Sequence, residues 1–138
     1  MIDLLRKLRY KDQQRILMLN SEKGLVEQIK KEKPELIIDT SIDPRFPYEL
    51  MLIFVKLMNE VNETAPKAIH NLVSDGHLWF AYPRKGNGKN ASDLDREHGW
   101  GMLLDRGFDR VERIVINDTW AALRFRNIRF IKSSRYRG

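Results

Sequence analysis

The sequence predicts a doubly wound α/β domain whose mostly parallel sheet is closed by a C-terminal antiparallel β-hairpin. Three observations predict it. Four compact apolar runs, Arg15–Asn20, Glu35–Asp39, Tyr48–Val55 and His77–Tyr82, have the length and near-unbroken hydrophobicity of strands buried on both faces. Segments with helical spacing and capping residues lie between most of them. Two further apolar runs, Val111–Asn117 and Trp120–Phe125, flank the tight turn Asn117-Asp118-Thr119, the pattern of a hairpin.

Taken in order, Leu4, Leu5 and Leu8 precede the polar stretch Lys11-Asp12-Gln13-Gln14 and predict a short amphipathic helix packed across a sheet edge. After the first strand, Ser21 is a helix cap with Glu22 near the positive end of the dipole, and Leu25, Val26 and Ile29 form one stripe that stops before Pro34. Pro44 and Pro47 make 40–47 a loop between the second and third strands. Thr64-Ala65-Pro66 predicts a break between two short helices. The second carries Ala68, Ile69, Leu72 and Val73 and ends at Asp75-Gly76. Pro83–Ser92 holds two glycines, two asparagines and three basic residues and reads as an exposed loop. Asp93 is then the cap of a helix that includes Trp100, Leu103 and Leu104 and ends at Gly107.

Length and composition set the outer limits. The 138 residues, 42% hydrophobic and 32% charged, suit one domain spanning 1–138, with 1–14 as an N-terminal helical arm and 127–138 as a basic C-terminal tail. With no cysteine there is no disulfide, thiolate metal site or cysteine nucleophile, which suits a reducing cytoplasm. The N-terminus carries charge too early for a signal peptide and no apolar run approaches membrane-spanning length, so no membrane association is expected. The net charge of +6 is unevenly placed. Arg124, Arg126, Arg129, Lys132, Arg135 and Arg137 stand in the last fifteen residues without an acid, and the remaining 19 basic residues are balanced by all 19 acids.

Two blocks carry a resemblance. Leu78-Trp79-Phe80-Ala81-Tyr82-Pro83 followed by Ser92-Asp93-Leu94-Asp95-Arg96, and Asp118-Thr119-Trp120-Ala121-Ala122-Leu123-Arg124-Phe125, resemble a small bacterial domain family of unknown function. That family looks like a reduced class I, S-adenosylmethionine-dependent methyltransferase, and the resemblance spans roughly residues 10–130. It implies a Rossmann-like fold with sheet order 2-1-3-4-6-5 and strand six antiparallel to the rest. The loop after the first strand, Asn20-Ser21-Glu22-Lys23-Gly24, departs from the methyltransferase pattern: it has one glycine and no G-x-G, so S-adenosylmethionine is not expected in the usual pose. Asp39 keeps the position at the end of strand two where such folds place an acid for ribose hydroxyls.

The candidate ligand residues follow from the rule that open parallel sheets bind ligands beyond the carboxyl ends of their strands. Asn20, Ser21, Asp39, Lys56, Tyr82 and Pro83 are expected to share that rim, and Arg84, Lys85 and Lys89 of the glycine-containing loop are candidates to fold over a phosphate. Lys85-Gly86-Asn87-Gly88-Lys89 lacks the P-loop spacing and reads equally as a solvated loop. Asp93, Asp95 and Glu97 are explained by helix capping and no metal site is expected; Asp118 beside Arg124 is a candidate ion pair. His70, His77 and His98 lie in no metal or triad spacing, and Trp79 and Trp100 read as core. No cofactor and no oligomeric state is identified. The function the residues favour is a non-catalytic, methyltransferase-like domain with a nucleotide-like small ligand at the rim. A nucleic-acid role through Arg124, Arg126, Arg129, Lys132, Arg135 and Arg137 and a protein-interaction or regulatory role are the alternatives. Active methyl transfer ranks below these.

Overall fold

The structure, a computed structural model, describes residues 2–84 and 92–131. Its elements run α1 (Ile2–Lys7), β1 (Arg15–Leu19), α2 (Leu25–Glu32), β2 (Ile37–Asp39), β3 (Tyr48–Phe54), α3 (Met58–His70), β4 (Leu72–Pro83), α4 (Gly101–Asp105), β5 (Phe108–Val115) and β6 (Trp120–Asn127), then a 3-10 turn at Ile128–Phe130. The six strands form one sheet in the order β2-β1-β3-β4-β6-β5. β1 to β4 are mutually parallel, and β6 lies antiparallel to both β4 and β5.

Period-two alternation assigns the core residues to two layers. Leu17, Met51, Ile53, Leu78, Phe80, Ala121, Leu123 and Phe125 face one layer with Val61, Ala65 and Ala68 of α3 and Leu103 of α4. Ile16, Met18, Leu50, Leu52, Phe54, Trp79, Ala81, Trp120 and Ala122 face the other, against α1 and α2. Since the central strands are covered on both sides, they read in sequence as continuous apolar runs. The N-terminal helix covers one face of the sheet beside its β5 edge, where Lys7 Nζ donates to the Val115 carbonyl at 3.3 Å. Leu4, Leu5 and Leu8 are buried over the sheet, and the Leu8 carbonyl accepts a 3.0 Å hydrogen bond from Trp79 Nε1.

Four expected boundaries are corrected. α2 begins after Gly24, which holds φ 91° at the N-cap, so Ser21 lies before the helix and does not cap it. The break at Pro66 is absent: α3 is one helix with the proline inside it. Val61, Ala65 and Ala68 form a continuous buried stripe across Pro66, and the carbonyl of Asn62, which the proline cannot bond, lies on the exposed side. The chain from Leu72 is not helical but enters β4, with Tyr48 opposite Leu72 and Leu50 opposite His77. The surplus residues bulge outward at Asp75, whose φ is 56°. Asp93 starts no helix either. α4 has only five residues, ended by Gly107 at φ 82°, and Asp93 Oδ1 instead accepts the backbone N–H of Met58 at 2.7 Å.

The β2–β3 crossover is made by the loop 40–47 alone, so side chains close that part of the sheet where a helix would otherwise lie. Arg15 stacks 4.2 Å over the ring of Phe46, and Asn71 Nδ2 donates to the carbonyls of Asp43 and Phe46. Among the described residues, no helix is long and apolar enough to cross a membrane.

Candidate functional site

The chain leaves β1 for β2 on one side of the sheet and returns to β3 on the other, so the switch point of the topology lies between β1 and β3. A cleft of about 670 Å³ opens there, at the carboxyl ends of both strands. Asn20, Ser21 and Glu22 come from the β1 end, Phe54 and Lys56 from the β3 end, Glu60, Glu63 and Thr64 from the first turns of α3, and Thr119 and Trp120 from the hairpin. Because β6 runs antiparallel, its beginning and not its end reaches this rim.

Hydrogen bonds hold the walls. Asn20, in the left-handed region at φ 58°, sends Nδ2 toward the Phe54 carbonyl at 3.5 Å. Glu22 Oε1 accepts from Asn117 Nδ2 at 3.2 Å, joining the β1 loop to the hairpin turn, in which Asn117 Oδ1 receives the N–H groups of Thr119 and Trp120. Ser92 Oγ donates to the Lys56 carbonyl at 2.6 Å. Trp120, 5% exposed, packs edge-on against Phe54 with ring centres 4.9 Å apart, and its indole N–H has no partner among the described residues.

The start of α3 is already neutralised. Glu60 Oε1 accepts the N–H groups of Lys56 and Leu57 at 2.6 and 3.1 Å, and Asp93 takes that of Met58. Carboxylates thus already stand at the positive end of the dipole, where a phosphate would otherwise be attracted, and one of them holds the first amide of the helix, that of Met58. Among the described residues that line the cleft, Glu22, Glu60 and Glu63 outnumber the basic Lys56.

The expected rim is only partly assembled. Asn20, Ser21 and Lys56 line the cleft. Asp39 does not: level with Leu17 on β1, its carboxylate turns back toward the amino end, bonding Arg15 Nε at 2.8 Å and Nη2 at 2.7 Å and accepting the hydroxyl of Tyr48. Arg15 also reaches Asp43 at 3.1 Å, and its pKa is raised, first by the bond to Asp39. Burial pushes the Tyr48 hydroxyl up, and its bond to Asp39 adds to the shift. Tyr82 is a core residue, 3% exposed, whose hydroxyl receives Arg113 Nε at 3.0 Å. Arg84 clamps the hairpin, donating from its backbone to Thr119 and from Nη1 to the Asn117 carbonyl. Lys85 and Lys89 lie outside the described residues, as do Lys132, Arg135 and Arg137. Glu22, Glu60, Glu63, Thr64, Thr119 and Trp120 were not singled out by sequence as rim residues; Glu22 and Thr64 stood out only as helix-boundary residues and Thr119 and Trp120 only as part of the hairpin. The antiparallel placement of the last strand was a sufficient signal for Thr119 and Trp120.

Asp95 closes an Asx turn. The backbone N–H of Glu97, with help from the His98 ring and backbone, holds its carboxyl down at about 2. Among the described residues, no group of three or more His, Asp or Glu side chains is arranged to hold a metal ion. Arg124 does not pair with Asp118; its Nε bonds Glu112 at 2.9 Å. His77, half-buried, has an unpartnered Nδ1, and its pKa is lowered by burial and then by Arg124 and Arg9, with Asp75 and Glu112 opposing. Its folded value thus lies below the ordinary one near 6.5. The unfolded chain takes up a proton there before the folded one does, so stability is complete above about pH 6.5 and declines on acidification. His77→Gln is expected to flatten the profile of urea midpoint against pH between about pH 7 and 5; an unchanged slope would assign that dependence elsewhere.

The sheet order, the antiparallel closing hairpin and the cleft at the switch point define a methyltransferase-like Rossmann fold. The sequence matches no protein-family model and no curated protein. The fold is shared with N-methyltransferase NodS from Bradyrhizobium japonicum WM9, at TM-score 0.62 and 15% identity, over 91% of this chain and 93% of that one. NodS in complex with S-adenosyl-L-homocysteine aligns at TM-score 0.58 and 12% identity over 91% and 84%. The Methanococcus jannaschii fibrillarin pre-rRNA processing protein aligns at TM-score 0.52 and 11% identity over 85% and 68%. At such identities the likeness is one of fold.

Proposed function

We propose that this chain is a methyltransferase-like binding domain whose carboxyl-end cleft takes a nucleoside-type small molecule that carries no phosphate. The observation that carries the reading is the cleft at the β1–β3 switch point, where Glu60 holds the Lys56 and Leu57 amides that lead into α3, Asp93 holds the Met58 amide that begins it, and Glu22 and Glu63 stand beside them. Carboxylates there accept hydroxyl and ammonium donors and repel phosphate. The solved NodS complex with S-adenosyl-L-homocysteine, which shares the fold, supports the same ligand class. The reading is of ligand binding, carried by the carboxylates and the Asn20 and Ser21 side chains that line the cleft. The setting we infer is the bacterial cytoplasm, supported by the cysteine-free composition and the resemblance of the two sequence blocks.

Thermal-shift and calorimetric titrations with adenosine, S-adenosyl-L-homocysteine, S-adenosylmethionine, ATP and NAD test this. At ~100 times its dissociation constant a ligand stabilises by about 2.7 kcal/mol. The phosphate-free compounds are expected to give a saturable rise and ATP none, with Glu63→Gln weakening the binding several-fold. Equal or tighter binding of ATP, or no rise with any compound, would refute the reading.

A further inference from the structure

The opposite end of the sheet carries a different surface, independent of the cleft. Where β6 finishes, at the amino ends of β3 and β4, arginines line up in an unbroken row. Arg9 Nε and Arg124 Nε bond the same oxygen of Glu112, at 2.7 and 2.9 Å. Two residues on, and therefore on the same face of the strand roughly 7 Å away, Arg126 forms a two-point pair with Asp75, both bonds 2.8 Å. Its guanidinium carbon lies 5.9 Å from the centre of the Phe130 ring, and that of Arg129 lies 5.0 Å from the same ring. The row therefore sets four guanidiniums against Glu112 and Asp75, with Asp109 opposite Arg126 on β5 and 3.6 Å from Arg110 Nε. Arg9 and Arg124 spend only Nε on Glu112.

This arrangement divides the labour expected of a basic tail. Arg124, 11% exposed at its side chain, and Arg126 are built into the sheet. Arg129 is exposed, and the 3-10 turn that presents it is fixed by Asn127, whose side chain accepts the Arg129 N–H at 3.1 Å, and by the bond from Ile128 N–H to the Gly107 carbonyl. Ile128 beside it is 57% exposed. A guanidinium close to a ring offers N–H donors to phosphate, and its plane and the ring are surfaces on which an unstacked base can stack.

We propose that the row Arg9–Arg124–Arg126–Arg129, with Phe130 as its platform, binds single-stranded nucleic acid along the amino end of the sheet. The row is a fixed template in which the paired arginines set the track and Arg129 makes the stacking contact. A duplex keeps its bases inside and meets only the charge.

The test is fluorescence anisotropy of the full-length protein with short labelled oligouridylate and oligodeoxythymidylate, across a salt series and beside a duplex of equal length. Salt-sensitive binding that prefers the single strand is expected. Arg129→Ala, at an exposed position, is expected to lower affinity about five- to tenfold and to reduce the slope of log K against log salt by about 0.7, the share of one phosphate contact on a single strand. Arg129→Lys should regain the slope but not the full affinity, because an ammonium keeps the charge without the plane. Several outcomes would overturn the proposal. They are no binding, equal or tighter binding to the duplex, binding to phosphatidylglycerol vesicles in place of the oligonucleotides, or affinity that ignores Arg129→Ala yet vanishes when Lys132, Arg135 and Arg137 are all alanine. Thermal midpoints equal to wild type in every variant keep these readings separate from unfolding.

Discussion

Trp79→Ala is expected to cost about 3–5 kcal/mol, the range for removing a fully buried aromatic side chain, and to lower the thermal midpoint by roughly 10 °C or more. Trp79 is 0% exposed at the centre of β4, with Leu52 of β3 on one side and Arg124 of β6 on the other. Its indole fills the layer under α1, and its N–H supplies the bond at the Leu8 carbonyl. Alanine would leave a cavity beneath Leu4, Leu5 and Leu8 and an unpaired carbonyl at the end of a helix too short to persist alone. Trp79→Phe separates the two contributions: most of the packing stays, the hydrogen bond goes, and a loss of about 1 kcal/mol is expected. Chemical denaturation of both variants measures the split. A Trp79→Ala protein within 1 kcal/mol of wild type would show that α1 does not depend on this anchor.

Asp39→Ala is expected to lower the thermal midpoint by roughly 5 °C while leaving the affinity of the carboxyl-end cleft unchanged. Removing the carboxylate strips Arg15 of a two-point partner and Tyr48 of its acceptor. It also leaves Asp43 as the remaining acid of the group, itself held low first by the Arg45 N–H and then by Arg15. These groups close the face that the helix-free crossover leaves open, so the loss falls on packing of the loop 40–47. The two readings of Asp39 differ in outcome. As a ribose acceptor it would give a protein of normal stability that has lost its ligand; as a structural hub it gives a weakened fold whose ligand binds as before. Calorimetric titration beside a melting curve measures both quantities on the same sample.

Much of the architecture was legible because burial on both faces writes itself into composition. β1, β3, the second half of β4 and the start of β6 stand out as apolar runs because strands covered on both faces bury nearly every side chain there. The sheet order followed from the resemblance of the two blocks, and the observed order agrees with it. Helix boundaries were less legible. Pro66 and Thr64 carry strong local signals for a break, yet α3 passes through them because Val61, Ala65 and Ala68 lose more by leaving the core than one missing hydrogen bond costs. Asp93 looked like the cap of the helix that follows it; it caps one that starts thirty-five residues earlier, a partnership no local window contains.

The site divides the same way. The sequence by itself determined that there is one α/β sheet and that the glycine-rich loop of the methyltransferase pattern is missing after the first strand, for these depend on residue types and their order along the chain. Only the tertiary structure decided which charges are already spent. Asp39 is turned away by Arg15, the amides at the approach to α3 are held by Glu60 and that of Met58 by Asp93, and Arg124 and Arg126 are paired with Glu112 and Asp75. The reason is physical: electrostatic pairing depends on separations of a few ångströms, and residues that distant in sequence acquire such separations only when the sheet brings them together.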